Sequence, residues 1–453
     1  MSYRTLNPAT GETVRVYPEH SWAQSLEALS RSETAFATWR DKTIAERVGC
    51  IRNLAELLRS RLPELARLIT LEMGKPIAQA EIEIDKCARG AEYYVRTAEE
   101  SLREHVVVTD AARSYVRYDP LGVILGIMPW NFPFWQVLRF SLPALAAGNV
   151  VLLKHAPNVP ACALEIESLF EKTGFPKGVF QNLFLTNENV ERLIGTGRIQ
   201  GVSLTGSEKA GSAVASTAGR YLVKTVLELG GSDPFVVFED ADLDGAVSVA
   251  VQSRFMNAGQ SCIAAKRILV ATQVYDKFRD RLVEAVKKLK LGDPAERETD
   301  IGPMAREDLL QNLLRQVNQL KTQGARCILE GGPVGKGYFF RPAIFESIIS
   351  NRCGLDEEIF GPVALLQKFD TEEEALRLAN ETRYGLGASL WSRDTSRMEG
   401  LARRIEAGSV FINGLVKSDP RLPFGGVKKS GYGRELSEIG LHEFTNIKTV
   451  WVK

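Results

Sequence analysis

Val123-Ile124-Leu125-Gly126-Ile127-Met128, a helical stretch from Phe134 to about Ala147, and Val150-Val151-Leu152-Leu153-Lys154 together decide the fold. The two short runs are apolar almost throughout, which suits strands buried on both faces. A buried strand, a crossover helix and a second buried strand make the unit of a parallel sheet. The theme continues with a helix over 161–172, strands over 179–185, 202–204 and 225–229, and a helix over 207–219. A second series opens at Pro234-Phe235-Val236-Val237-Phe238. It runs through a helix over 242–254, a strand over 267–270 and helices over 275–289 and 309–323. A strand over 326–329 and a strand–helix pair over 363–380 follow. The boundary between the two series falls at Gly230-Gly231.

Ahead of the first series, residues 22–104 are helical. Leu54, Leu57, Leu58, Leu62, Leu65 and Leu68 recur at three- and four-residue spacing and mark an amphipathic face. Residues 114–118 alternate and read as a strand. So do residues 447–453, whose Trp and Val at the extreme end point to docking on a neighbour. The expectation is an α/β protein built from doubly wound parallel sheets.

With 453 residues the chain is long enough for several domains. Its 57 Lys and Arg balance 56 Asp and Glu, with no basic block and no acidic tail, which argues against nucleic acid or an anionic membrane as partner. The most apolar region, 122–135, is cut by Pro129, Asn131 and Pro133, so no membrane span is expected. The first residues hold no stretch of signal-peptide kind. Cys50, Cys87, Cys162, Cys262, Cys327 and Cys353 form no Cys-x-x-Cys pair, which points to free thiols and a cytoplasmic setting. The four histidines and the cysteines show no metal spacing, so no metal is expected. A nucleophile-elbow serine, a Walker loop and the Gly-x-Gly-x-x-Gly fingerprint are missing too.

What remains for chemistry is a thiol, a carboxylate and an amide. Cys262 ends Asn257-Ala258-Gly259-Gln260-Ser261-Cys262, a small polar loop between a helix and a strand. It reads either as a nucleophile or as a buried structural thiol. Glu228 stands in Leu227-Glu228-Leu229-Gly230-Gly231 at the carboxyl end of a strand, where α/β sheets bind ligands. A general base and a helix cap or ion-pair partner are about equally compatible with that place. Asn131, in Trp130-Asn131-Phe132-Pro133, reads first as a helix N-cap and second as an oxyanion donor. Asn131, Trp135 and Arg139 are spaced to share one helix face. Lys154 ends a strand and suits a ribose or phosphate contact, while Gly206-Ser207 opens a helix and suits a pyrophosphate.

In order along the chain, these segments resemble the NAD(P)-dependent aldehyde dehydrogenase superfamily. The resemblance runs from Asn7-Pro8-Ala9-Thr10-Gly11-Glu12 to Lys448-Thr449-Val450. It is carried by Pro129-Trp130-Asn131-Phe132-Pro133, Leu204-Thr205-Gly206-Ser207, Leu227-Glu228-Leu229-Gly230-Gly231 and Gly259-Gln260-Ser261-Cys262. Glu358-Ile359-Phe360-Gly361-Pro362 and Pro423-Phe424-Gly425-Gly426-Val427-Lys428-Lys429-Ser430-Gly431 complete it. The resemblance implies that Cys262 is the nucleophile, Glu228 the base that activates water, and Asn131 with the Cys262 backbone N–H the oxyanion hole. It implies cofactor contacts at Met128, Pro129, Trp130, Lys154, Pro157, Thr205, Gly206, Ser207, Leu229, Glu358 and Phe360, for NAD or NADP.

It further implies a cofactor domain (1–101 and 121–230), a catalytic domain (231–423), oligomerisation strands (102–120 and 443–453) and a returning segment (424–442). A homodimer or homotetramer follows from the same resemblance. Within the superfamily the chain looks like bacterial succinate-semialdehyde dehydrogenases. Phe132, Trp135, Arg139, Ser261, Ser418 and Phe424 would then line the substrate, with Arg139 and Ser418 on its distal carboxylate. Met256 stands where many such enzymes carry a second arginine, so other semialdehydes or uncharged aldehydes stay open as substrates. Pro157 stands where relatives carry Glu or Ser, so the sequence leaves the choice of cofactor open. A CoA-acylating or non-catalytic member of the fold is the further alternative.

Overall fold

The computed structural model describes residues 3–346 and 357–453; Cys353 lies outside them. Helices Trp22–Trp39, Ile44–Ser60, Leu62–Met73 and Ile77–Ser101 fill the expected helical region. The first two begin with reciprocal caps, Ser21 with Gln24 and Thr43 with Glu46, which satisfy the free N–H groups of the first turn.

The first sheet runs in the order Gly431–Tyr432, Lys224–Glu228, Gly201–Thr205, Val123–Met128, Val150–His155, Phe180–Asn182. All of its pairings are parallel except at the Gly431–Tyr432 edge, where residues far down the chain return to pair with Leu227 and Glu228. Gly126 is explained by packing, since a Cβ there would lie 2.1 Å from the ring of Phe140 on the crossover helix Trp135–Ala146. The chain goes one way from Val123–Met128 and then restarts on its other side at Gly201–Thr205. That reversal opens a crevice at the carboxyl ends of these two strands, where Trp130-Asn131 and Gly206-Ser207 follow on.

The second sheet runs Arg326–Leu329, Ala343–Glu346, Val363–Phe369, Ala265–Ala271, Asp233–Val237, Gly387–Trp391, Ser409–Ile412. Only the Arg326–Leu329 edge is antiparallel. The loops ahead of its inner strands, carrying Gly230-Gly231, Cys262 and Glu358, meet the carboxyl ends of the first sheet.

One expectation needs correction. The strand expected over 179–185 shrinks to Phe180–Asn182, because the following residues pack as irregular chain against Tyr3 and Tyr17. The C-terminal strand Thr445–Val452 docks on its own chain, pairing antiparallel with Arg113–Pro120 along its whole length. The resulting small sheet leaves Ile447 (63% exposed) and Trp451 (50%) open to solvent, and Val108 (96%) in the connection beside it is exposed too.

Candidate active site

Helix Leu243–Phe255 stops abruptly, and Asn257, Ala258 and Gly259 follow with φ near 54°, 53° and 71°. A left-handed run with two side-chain-bearing residues is strained, so surrounding contacts must hold it. Gly259 has no room for a side chain, since a Cβ would sit 2.4 Å from the Gly361 carbonyl oxygen. The Asn257 amide donates to the carbonyls of Asn131 (2.9 Å) and Gln260 (3.2 Å). Gln260 donates back to Asn257 O at 3.1 Å and accepts from Ala305 N–H at 2.9 Å. From helix Leu243–Phe255, buried Arg254 donates to Val363 O (2.7 Å) and Ile359 O (3.1 Å), fixing the far wall.

Beyond this turn Cys262 is half-buried, and Lys266 Nζ reaches back to its carbonyl (2.8 Å) and to that of Ser261 (2.7 Å). The same ammonium pairs with Glu358 at 3.1 Å. Glu358 in turn accepts the Gly231 N–H at 3.1 Å. One buried cation thereby ties the thiol loop, the Glu358 loop and the boundary glycines together. Burial pushes the Cys262 thiol up to about 12, with the Lys266 and Arg139 charges pulling the other way. The Ser261 hydroxyl is buried without a partner among the described residues.

Asn131 caps no helix, contrary to the simplest reading of its position. Its amide donates 3.1 Å to Gln260 O, two residues before the thiol. The helix begins later, at Trp135, and its free N–H groups are taken by a carboxylate from elsewhere. Glu83, on helix Ile77–Ser101, accepts from Phe134 N–H (3.0 Å) and Trp135 N–H (3.1 Å). Its other oxygen pairs with Lys75, whose ammonium also lies 3.8 Å from the Phe132 ring centroid. His155, fully buried, bonds Pro133 O at 2.9 Å and accepts from Ala156 N–H at 2.9 Å. Burial holds its pKa down to about 4, so it is a neutral strut between strand end and turn. Glu83, Lys75, Lys266 and His155 were all invisible in the sequence as parts of this site.

Glu228 ends its strand 2% exposed, and neither carboxylate oxygen has a partner among the described residues. A Cβ on Gly425 would lie 2.8 Å from its Oε1, so the chain passes directly over the carboxylate. Burial first and the Glu435 charge second push its pKa far up, which favours a protonated resting acid. The cap or ion-pair reading of Glu228 fails on this geometry.

Arg139 differs most from expectation. Its guanidinium is 2% exposed, ion-paired with Glu435, hydrogen-bonded to Thr205 Oγ1 at 3.3 Å and 4.7 Å from the Phe424 ring centroid. The ion pair engages the Nε side of the guanidinium, which leaves further N–H groups of Arg139 for other partners. Thr205 thus engages its hydroxyl with Arg139. Glu435 in turn accepts from the Ser203 hydroxyl at 3.1 Å. Ser418, buried, accepts from Trp135 Nε1–H at 2.9 Å and from Lys86 Nζ at 2.7 Å.

Around the crevice, Lys154 sits one residue before the strand end, its pKa lowered to about 8 by burial alone. Pro157 is part-buried and accepts Arg4 N–H at 3.0 Å. Ser207 caps helix Glu208–Arg220 by accepting from Ala210 N–H at 3.3 Å, and stays exposed. Gly206 N–H donates to Glu228 O at 3.0 Å, and Leu229 N–H to Ser430 O at 3.0 Å. Trp130 and Phe360 meet edge to face at 5.8 Å across the two halves. Met128 closes its strand, and part-buried Pro129 begins the turn.

The loops carrying Asn131, Cys262 and Gly230-Gly231 thus meet where the two parallel sheets come together, an architecture of the aldehyde-oxidising α/β oxidoreductases. The aldehyde dehydrogenase family profile matches residues 1–450, and the chain belongs to that family. A Synechocystis sp. relative, named "Probable succinate-semialdehyde dehydrogenase [NADP(+)]", is 50% identical over 453 residues, all of both chains. A Mycobacterium avium relative, succinate-semialdehyde dehydrogenase [NADP(+)], is 46% identical over all of this chain and 97% of its own. Among solved structures, the succinic semialdehyde dehydrogenase of Streptococcus pyogenes with NADP+ superposes with a TM-score of 0.97. It is 36% identical, and the match covers 99% of each chain.

Proposed function

We propose that this aldehyde dehydrogenase oxidises succinate semialdehyde to succinate with NADP+, through a thioester on Cys262. The single strongest support is the names of full-length relatives at 46–50% identity, and the bond from Asn131 to the loop of Cys262 agrees with it. The residues present fit a nicotinamide dinucleotide. Lys154 stands part-buried near a strand end with no ion pair among the described residues, Gly206-Ser207 open a helix, and Pro157 carries no carboxylate to repel a 2′-phosphate. When bound, the dinucleotide supplies the hydride acceptor.

The chain's own residues do the rest. Cys262 gives its proton to solvent and its thiolate attacks the aldehyde carbon, opening the C=O π bond to give the hemithioacetal oxyanion. The Asn131 amide and the Cys262 backbone N–H receive the developing oxyanion. Lys266, clamped on the two carbonyls of the loop, keeps that N–H and the thiol in register. Once the thioester stands, Glu228 takes a proton from water, which attacks the acyl carbon and releases succinate. A pKa held up by burial makes Glu228 basic enough for that proton once it is ionised.

Initial rates with succinate semialdehyde and butanal, each with NADP+ and NAD+, test the reading. A strong preference for the semialdehyde with NADP+ is expected, and equal rates with butanal contradict the substrate assignment. We further place the enzyme in the cytoplasm, where its five described free thiols stay reduced. No helix among the described residues is long and apolar enough to cross a membrane. Self-association is proposed through the small sheet that exposes Ile447 and Trp451, with Val108 beside it. Light scattering would then report an oligomer, and an Ile447→Lys, Trp451→Lys pair would dissociate it.

A further inference from the structure

Lys266 lies on the strand Ala265–Ala271, which runs between Val363–Phe369 and Asp233–Val237 in the second sheet. Each neighbour brings a carboxylate to the head of that strand. On one side Glu358, in the loop ahead of Val363–Phe369, pairs with the Lys266 ammonium at 3.1 Å. On the other side stands Asp233, the first residue of its strand and buried. Its Oδ1 accepts Gly387 N–H at 3.1 Å. Its Oδ2 is buried with no partner among the described residues. A buried carboxylate oxygen without a donor is costly, and the neighbouring strand holds a mobile donor in Lys266.

The register brings the two groups together. Asp233 pairs with Ala265 and Pro234 with Arg267, so the ladder slips past Lys266. A Cβ on Gly231 would lie 2.7 Å from Cys262 O and 3.0 Å from Asp233 Oδ1, so these oxygens converge on one point. Lys266 Nζ already donates to that Cys262 carbonyl at 2.8 Å. Neighbouring strands are about 4.8 Å apart, a span that a turn of the lysine side chain covers. The Lys266 charge is also the strongest pull against the burial that lifts the Asp233 carboxyl to about 7.

Of the three groups, Glu358 is the one open to solvent, with 18% of its side chain exposed against 0% for Lys266. Its loop continues to Phe360, which meets Trp130 across the crevice. A ligand rich in hydroxyl groups, as the riboses of a dinucleotide are, therefore meets Glu358 first and competes with Lys266 for it.

We propose that Asp233 is a second seat for the Lys266 ammonium: when a dinucleotide hydroxyl draws Glu358 away, Lys266 swings to Asp233 Oδ2 and keeps its grip on the Ser261 and Cys262 carbonyls. Asp233 is then a positioning residue that holds the thiol loop steady across cofactor binding. The ligand rests on the dinucleotide reading of the crevice.

The test is a double-mutant cycle with Asp233→Asn and Glu358→Gln, read first by the Tm of the cofactor-free protein. Asp233→Asn keeps an oxygen for Gly387 N–H, and each single variant leaves Lys266 one carboxylate. Each should lower Tm little. The double variant, with a buried ammonium and neither carboxylate, should lower it by more than the two together. The second reading is the Kd for NADP+ by calorimetry. Asp233→Asn alone should weaken binding roughly ten- to a hundredfold, because Lys266 then loses its only carboxylate to the ligand. In the Glu358→Gln background Lys266 already sits on Asp233, and the same substitution should change Kd less than about threefold. Additive Tm shifts, or an equal effect on Kd in both backgrounds, overturn the proposal and leave the dinucleotide reading intact. A wild type that binds neither NADP+ nor NAD+ overturns that reading and the proposal together.

Discussion

Arg139 and Glu435 form an ion pair with both side chains all but sealed from solvent, at 2% and 3% exposure. Removing one partner leaves the other charge buried and unpaired, which costs about 3–5 kcal/mol in comparable sites. Arg139→Met should therefore lower the unfolding free energy by that order in urea titration. Unchanged stability would contradict the structural role of the pair.

Gly259 sits at φ 71° with the Gly361 carbonyl where a Cβ would be. Gly259→Ala must push apart the thiol loop and the Phe360 loop. Misplacing a nucleophile by about 1 Å costs on the order of a hundredfold in rate, so kcat should drop by that order. Stopped-flow turnover measures it, and a change below about threefold contradicts the packing described.

Much of this architecture was legible because buried parallel strands write themselves as continuous apolar runs. Val123–Met128, Val150–His155 and Asp233–Val237 stand out without help from anything distant. Cys262 and Glu228 were legible for a related reason, being polar residues set at loop and strand ends beside glycines. Asn131 was found but first read as a cap, because the sequence cannot show that Glu83 already holds the helix N-terminus. Arg139 was placed on the right helix face, but its partner within the chain could not be read from the sequence. Its carboxylate arrives with the segment that returns to the first sheet, next to Phe424. Periodicity gives the face a side chain presents; it does not give the charge that meets it there.

Lys266 joins two carbonyls of the thiol loop to Glu358. A hydrogen bond from a charged donor contributes about 1.5–3 kcal/mol, so Lys266→Met should lower kcat by roughly ten- to a hundredfold. Alkylation of Cys262 should slow as well, since the Lys266 charge is the largest influence lowering its pKa. Peptide mass spectrometry after iodoacetamide reads both proteins side by side, and unchanged alkylation with unchanged kcat contradicts the role.

With its pKa pushed to about 12, the Cys262 thiol of the cofactor-free enzyme is protonated at neutral pH. The thiolate fraction grows as pH rises, so alkylation of Cys262 should increase about tenfold per pH unit up to pH 9. A plateau below pH 7 would show a preformed thiolate and contradict the burial effect.

The most direct measurement traps the acyl enzyme. Glu228→Gln keeps the shape of the side chain and removes its ability to take a proton from water. Mixed with succinate semialdehyde and NADP+, quenched in acid within the first turnovers and digested, it should yield the Cys262 peptide carrying a succinyl group. One equivalent of reduced cofactor per site should appear in a burst, with little turnover after it. An unmodified Cys262 peptide together with sustained turnover would contradict the assignment of both residues.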